Sequence, residues 1–383
     1  MRIAPPAVER VPLAQAHARV LAQGVVADAD YPNAPRSAMD GYALAASETP
    51  GTFTIVRDVR MGEIPDPLRG AGYAAPIPTG GVLPEGADTV VPIEEAVVEG
   101  TALHVASAYE SGTNAFERAA DMRAGERLLE PGARIGAPQA GLLASLGITN
   151  VDVYRKPVVA VFSSGDELVD AAQQPLAGQV RDSNRYAIAA LLQAMGAQPR
   201  HYPRLSDERA AFVAALAHAL DECDAVAVSG GSSVGARDAL PAAVESLRDP
   251  GIVVHGVRVK PGKPLLLGAH RGKPILGLPG NPTSALVVLQ AIAAPIVAAL
   301  VGALPPSHTA NARLGAPLRS RAGWTWYLPV ALRHDGGTPV AHPLPLRSFS
   351  VSLTARADGY VVMNESDEEW PTGTIVTVHL FQT

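Results

Sequence analysis

Ala225-Val226-Ala227-Val228-Ser229-Gly230-Gly231-Ser232-Ser233-Val234-Gly235 decides how the middle of this chain is read. The apolar run at its start fits a strand buried on both faces, since a strand with one wet face alternates apolar with polar residues. The run then breaks into glycine and serine, which bring backbone N–H groups and hydroxyls within reach of a ligand. Upstream, Val158-Val159-Ala160-Val161-Phe162 repeats the pattern and opens into Ser163-Ser164-Gly165-Asp166-Glu167. Between the two lie amphipathic stretches expected to be helical: Asn184–Met195, ended by Gly196, and Asp207–Leu220, with Asp207 as its N-cap. Ile252-Val253-Val254 reads as a third buried strand. Strand, helix, strand, helix at this spacing predicts an α/β domain with a parallel-rich sheet and right-handed crossovers.

In such a sheet, ligands bind in the crevice beyond the carboxyl ends of the strands. Two further loops are expected at that edge, Lys260-Pro261-Gly262-Lys263-Pro264 and Gly277-Leu278-Pro279-Gly280-Asn281-Pro282-Thr283-Ser284. Lysines on a turn stiffened by proline suit a phosphate or another oxyanion. Asp166, Glu167, Asp182 and Asp238 carry hard oxygens of the kind Mg²⁺ takes. Each loop alone reads as a solvated turn; four at one sheet edge read as a site for an anion. No Walker phosphate loop, Rossmann fingerprint, paired-histidine metal motif or nucleophile elbow occurs. The ten histidines are scattered, and each is read as surface or core.

At 383 residues the chain exceeds one ordinary core, and 47% hydrophobic against 18% charged residues suits packed domains rather than disorder. A net charge of −6 without a long basic run argues against nucleic-acid binding, so an anionic ligand must be small and locally held. Cys223, the only cysteine, excludes an intramolecular disulfide framework and a cysteine metal cluster. The opening Met1-Arg2-Ile3-Ala4-Pro5-Pro6 lacks an apolar core of signal-peptide length, so a cytoplasmic setting is expected. Ala285–Leu304 is apolar and about long enough to span a bilayer. Gln290, Pro295 and Gly302 interrupt it, and the reading is a buried core helix with no membrane partner. Residues 8–23 are expected to form a short helix, 28–123 strands and turns, and 124–156 a mixed region with a helix at Pro138–Leu146. Beyond about Ser307 the pattern returns to strands, including Gly359–Met363 and Thr374–Val378.

The central loops resemble the molybdopterin-binding domain shared by the MoeA and gephyrin E-domain family. The likeness rests on Ser229–Gly235 with Asp238, on Lys260–Pro264, and on Leu278-Pro279-Gly280-Asn281-Pro282. Ser37-Ala38-Met39-Asp40-Gly41-Tyr42-Ala43 and the turn Pro78-Thr79-Gly80-Gly81 through Pro84-Glu85-Gly86-Ala87-Asp88 match it too, in family order along nearly the whole chain. The resemblance implies a multidomain α/β protein. A small N-terminal helical or linker domain (1–27 and 124–156) and a β-rich second domain (28–123) precede the molybdopterin-binding α/β domain (157–306), and a C-terminal β domain (307–383) follows. It implies a homodimer with the site shared between subunits, supplied with pterin by the molybdopterin adenylyltransferase. The implied reaction is insertion of molybdate into adenylylated molybdopterin with Mg²⁺, releasing AMP. By position, Asp40, Thr79 and Asp121 contribute from the second domain, and Glu167, Asp207 and Asp238 hold metal and nucleotide. Lys260, Lys263 and Ser284 hold phosphate or oxyanion. Ser164, Gly165, Asp182, Ser229, Gly230, Gly231, Ser232, Ser233, Gly235, Pro261, Gly262, Pro279, Gly280, Asn281 and Pro282 line the substrate.

Two segments depart from the family pattern. Phe116-Glu117-Arg118-Ala119-Ala120-Asp121 keeps only the final acid of an Arg-x-x-Gly-Glu-Asp element. Trp326-Tyr327-Leu328-Pro329 stands where a Glu-Phe-x-Arg-like segment is expected to bring an arginine towards the oxyanion; Arg321 and Arg347 are the candidates to replace it. A non-catalytic pterin-binding scaffold and a tungstate-specific insertase are compatible with the same residues.

Overall fold

The computed structural model describes residues 3, 6–205, 208–231, 239–305, 308–334, 336–345 and 349–381. The chain divides into two compact units, one of Met1–Ala22, Gly132–Ala140 and Thr149–Thr383, the other of Gln23–Pro131 and Gly141–Ile148.

A six-stranded sheet organises the larger unit. In spatial order its strands are Gln198–His201, Val158–Ser163, Ala225–Ser229, Lys273–Leu278, Leu266–His270 and Pro250–His255. The first four run parallel and the last two are added antiparallel. Alternation along the strands feeds two cores. Val159, Val161, Ala225, Ala227 and Leu276 pack with Ile188 and Leu192 of the Asn184–Ala194 helix and with Val288, Leu289 and Val297. Ala160, Phe162, Val226, Val228 and Ile275 pack on the other side with Phe212, Leu216, Leu240 and Val244. Each such side chain contributes about 1.5–3 kcal/mol through burial, which is why these strands read as unbroken apolar runs.

The helix Pro282–Val301 is long and apolar enough to cross a membrane, yet 61% of it is buried inside the fold. Its apolar surface is used in the first core, and the Gln290 side-chain amide donates to the Leu380 carbonyl at 2.7 Å. The buried-helix reading therefore holds.

Three sequence expectations are corrected. Residues 8–23 are not a helix: Val8–Pro12 is a strand paired antiparallel with Asn150–Tyr154, followed by a short 3-10 turn at Leu13–Gln15. Pro12 would forfeit a helical hydrogen bond and clash with the preceding turn, whereas it closes the end of a strand without penalty. Ile252-Val253-Val254 is not a third buried parallel strand but part of the antiparallel outer edge, with Val253 49% exposed. Three β-branched residues are too few for alternation to reveal a one-sided strand. The second helix runs Arg209–Glu222 with Glu208 at its N-cap, and Asp207 lies outside the described residues.

Within the same unit, Thr325–Arg333, Val340–Pro343, Thr309–Leu314, Ile375–Leu380 and Gly359–Met363 pair in sequence, and the last pairs back with the first. The result is a closed five-stranded barrel filled by Leu314, Leu328, Val330, Val361, Met363 and Val378. Val259–Lys260 pairs parallel with Thr325–Trp326 at the start of one barrel strand, which ties a loop of the central domain to the barrel.

The smaller unit is a second six-stranded sheet, ordered Thr89–Pro92, Gly41–Leu44, Tyr73–Ile77, Gly51–Ile55, Ala102–Val105 and Ala96–Glu99. Ala43, Ala75 and Val90 feed one core, while Leu44, Phe53, Val91 and Leu103 feed the other.

The Lys260–Pro264 loop is seated by its glycine. Gly262 has φ +117°, and a Cβ there would lie 2.0 Å from Val288 Cγ1 on the long helix. Gly262→Ala is therefore expected to cost about 3 kcal/mol or more, combining overpacking with backbone strain. Urea denaturation checks it, and a variant as stable as the parent would refute the close-approach argument.

Candidate functional site

Three of the expected loops meet around a cavity of about 670 Å³ at the carboxyl edge of the parallel strands. Ser164, Gly165 and Glu167 follow the Val158–Ser163 strand, and Ser229 ends the central strand before Gly230 and Gly231. Pro279, Gly280, Asn281 and Pro282 follow Lys273–Leu278, and Asp182 comes from the segment before the first helix. These expected residues all line the one cavity. Parallel strands end in register, Ser163 opposite Ser229 and Ser229 opposite Leu278, so their outgoing loops must share one rim.

The loops are interlocked by hydrogen bonds. The Ser164 N–H donates to the Ser229 carbonyl at 2.9 Å, and the Gly230 N–H to the Leu278 carbonyl at 3.1 Å. Gly230 has φ +91°, and a Cβ there would meet the Ser164 carbonyl oxygen at 2.4 Å, so only glycine fits. A residue that the sequence reading treated only as a helix start joins the set. Asn184, nine-tenths buried, donates through its side-chain amide to Ser229 Oγ and to the Gly280 carbonyl, both at 2.7 Å. Its signal was available: Asp182-Ser183-Asn184 is a run of capping residues, and a buried amide at a helix start needs partners. Asp182 accepts from the Arg185 N–H at 3.2 Å, holding that helix start in place.

A second cavity, of about 400 Å³, adjoins the first through Pro264 and Asn281. It is lined by Lys260, Pro261, Gly262, Lys263 and Ser284, together with Arg321, Trp324 and Trp326 from the barrel. Lys260 Nζ stands 4.3 Å from the centroid of the Trp326 ring, a cation–π contact. Among the described residues, its lining contains no carboxylate. Barrel and central domain are further tied by Thr283 Oγ1, 2.6 Å from Thr354 Oγ1 and donating to the Ser350 carbonyl at 3.2 Å. This places Phe349 and Val351 in the wall of the larger cavity.

In the smaller unit, Asp40 and Thr79 are hydrogen-bonded to each other. Asp40 accepts from the Thr79 N–H at 2.6 Å and from its hydroxyl at 2.8 Å. The Thr79 backbone donor, then its hydroxyl, hold the Asp40 carboxyl below its ordinary value. Asp121 sits in an exposed turn, its N–H donating to the Tyr31 carbonyl at 3.0 Å. Asp166 is exposed and lines neither cavity. Asp207, Ser232, Ser233, Gly235, Asp238 and Arg347 lie outside the described residues. Among the described residues, no cluster of three or more His, Cys, Asp or Glu side chains forms a metal site.

Comparison with known proteins was consistent along the chain. Residues 1–147 match the MoeA N-terminal region (domain I and II), residues 160–299 the probable molybdopterin binding domain, and residues 311–381 the MoeA C-terminal region (domain IV). A molybdopterin molybdenumtransferase of Synechocystis sp. is 33% identical over 371 residues, covering 93% of this chain and 91% of the relative. One from Bacillus subtilis is 30% identical over 377 residues, covering 95% and 87% respectively. Among solved structures, a molybdopterin biosynthesis MoeA protein from Pyrococcus horikoshii superposes with a TM-score of 0.85 at 25% identity, covering 98% of this chain and 95% of that one. Another MoeA structure from the same source gives a TM-score of 0.78 at 31% identity, covering 100% and 96%.

Two outcomes are expected. Asn184→Ala should cost roughly 1–3 kcal/mol, because it strands the Gly280 carbonyl; thermal denaturation reads the loss, and a variant as stable as the parent would refute it. Thr79→Ala should raise the Asp40 titration midpoint, read by carboxyl NMR, towards its ordinary 3.8. The sign follows from linkage. A depressed carboxyl stabilises the fold above its unfolded pKa, and that contribution is lost as pH falls through the lower folded value. The backbone N–H remains in the variant, so an unmoved midpoint would remove the Thr79 hydroxyl as a cause.

Proposed function

The chain belongs to the MoeA family, and on that footing we propose that it inserts molybdate into adenylylated molybdopterin, releasing AMP, in molybdenum cofactor biosynthesis. The observation that carries the proposal is the pairing of two adjoining cavities with different chemistry. The larger has glycine and serine loops whose backbone N–H groups and hydroxyls suit a nucleotide-linked pterin. The smaller has lysines and an arginine and, among the described residues, no acid, which suits a compact oxyanion. Bringing molybdate against a pyrophosphate link sets anion against anion. Lys260 and Lys263 offset that repulsion, and the loops fix the two groups in mutual reach.

Mg²⁺ fits the donor chemistry of the larger cavity, where the carboxylates of Glu167 and Asp182 are in the wall. Asp207 and Asp238 are proposed to complete its coordination. When bound, the ion supplies charge neutralisation at the phosphates. The same reading includes the four-domain division, a cytoplasmic homodimer in which Asp40, Thr79 and Asp121 act on the partner's cavity, and pterin delivery by the adenylyltransferase.

The test is AMP release from adenylylated molybdopterin by purified protein, with and without molybdate at fixed Mg²⁺. Molybdate-dependent AMP release is expected. Tight pterin-nucleotide binding with no release would replace the insertase with a scaffold.

A further inference from the structure

The smaller cavity gathers three cations, Lys260, Lys263 and Arg321, around about 400 Å³, with no carboxylate among the described residues of its lining. Among the described residues, none of the three takes part in an ion pair. Like charges converging without an acid repel one another, and an anion between them reverses the sign of each pairwise interaction. Two features show that the wall is built rather than incidental. Trp326 holds Lys260 against its ring face at 4.3 Å, while its own Nε1–H is buried with no acceptor among the described residues. The turn that carries Arg321 is pinned on both sides, the Ser320 N–H donating to the Glu368 carbonyl and the Gly323 N–H to the Glu365 carbonyl, both at 2.8 Å. Pro329, further along the same barrel strand, is buried and lines neither cavity, so the guanidinium in this wall comes from the turn before the strand.

Resting on the insertase reading, we propose that Arg321 is this chain's oxyanion-binding guanidinium, supplied from the pinned turn before the Thr325–Arg333 strand. Its planar fork presents paired N–H donors to two oxygens of a tetrahedral oxyanion, which a lysine cannot do. Trp326 acts as a positioning residue, fixing Lys260 on the facing wall so that the anion meets both charges.

The experiment is equilibrium dialysis of the purified full chain against molybdate and, separately, against AMP. Arg321→Ala is expected to weaken molybdate binding roughly 10- to 100-fold, the loss of one charge-assisted contact, with AMP affinity unchanged. In turnover it raises the KM for molybdate, and Arg321→Lys recovers the loss only in part. Arg321 is exposed, so the variants fold, as a circular dichroism spectrum matching the parent verifies. Molybdate affinity equal to the parent's overturns the assignment while leaving the insertase reading standing. Loss of AMP affinity instead moves Arg321 to the nucleotide phosphate and also overturns it. A parent protein that neither binds molybdate nor releases AMP overturns both readings together.

Discussion

The Asn184 side-chain amide is the interaction on which the larger cavity depends. It reaches Ser229 Oγ and the Gly280 carbonyl from the start of one helix, joining three chain segments that are far apart in sequence. A buried amide of this kind is held by more than distance. Desolvating its donors costs several kcal/mol unless each finds an acceptor, so helix, central strand and the loop after Lys273–Leu278 must keep one mutual arrangement. Gly230 acts in the same direction, since its backbone passes too close to the Ser164 carbonyl for any side chain. The rim is thereby fixed before a ligand arrives, which is the condition for backbone N–H groups to serve as phosphate donors.

Beside that neutral rim, the smaller cavity concentrates positive charge in a protein whose net charge is −6. Overall charge and local charge therefore point in opposite directions. A net negative charge repels polyanions at long range, while the positive charge of the two lysines and Arg321 is confined to one cavity wall. The contribution of the barrel is local too. Trp326 and the pinned Arg321 turn reach the cavity because Val259–Lys260 pairs with the start of one barrel strand and Thr283 binds the Val351–Thr354 helix.

The sequence by itself determined the central sheet, because strands buried on both faces must be written as unbroken apolar runs, and Val158–Phe162 and Ala225–Val228 are. It determined the loops at the strand ends, since glycine at a positive φ and proline at a fixed one leave little alternative. It also carried the family, through motifs spread in order from Ser37 to Pro282. What it did not determine was direction and partnership. The strand at Val8–Pro12 was taken for a helix because five residues show no reliable period and its pairing partner, Asn150–Tyr154, is remote. Val253 lies on an edge only because a hairpin closes beside it. Arg321 is legible in the sequence only as a candidate and Asn184 only as a helix start; tertiary packing puts each in the wall of its cavity. A hydrogen bond or a shared cavity between residues distant in sequence leaves no local pattern, and the fold decided those contacts by burying one amide and by closing a barrel against the sheet.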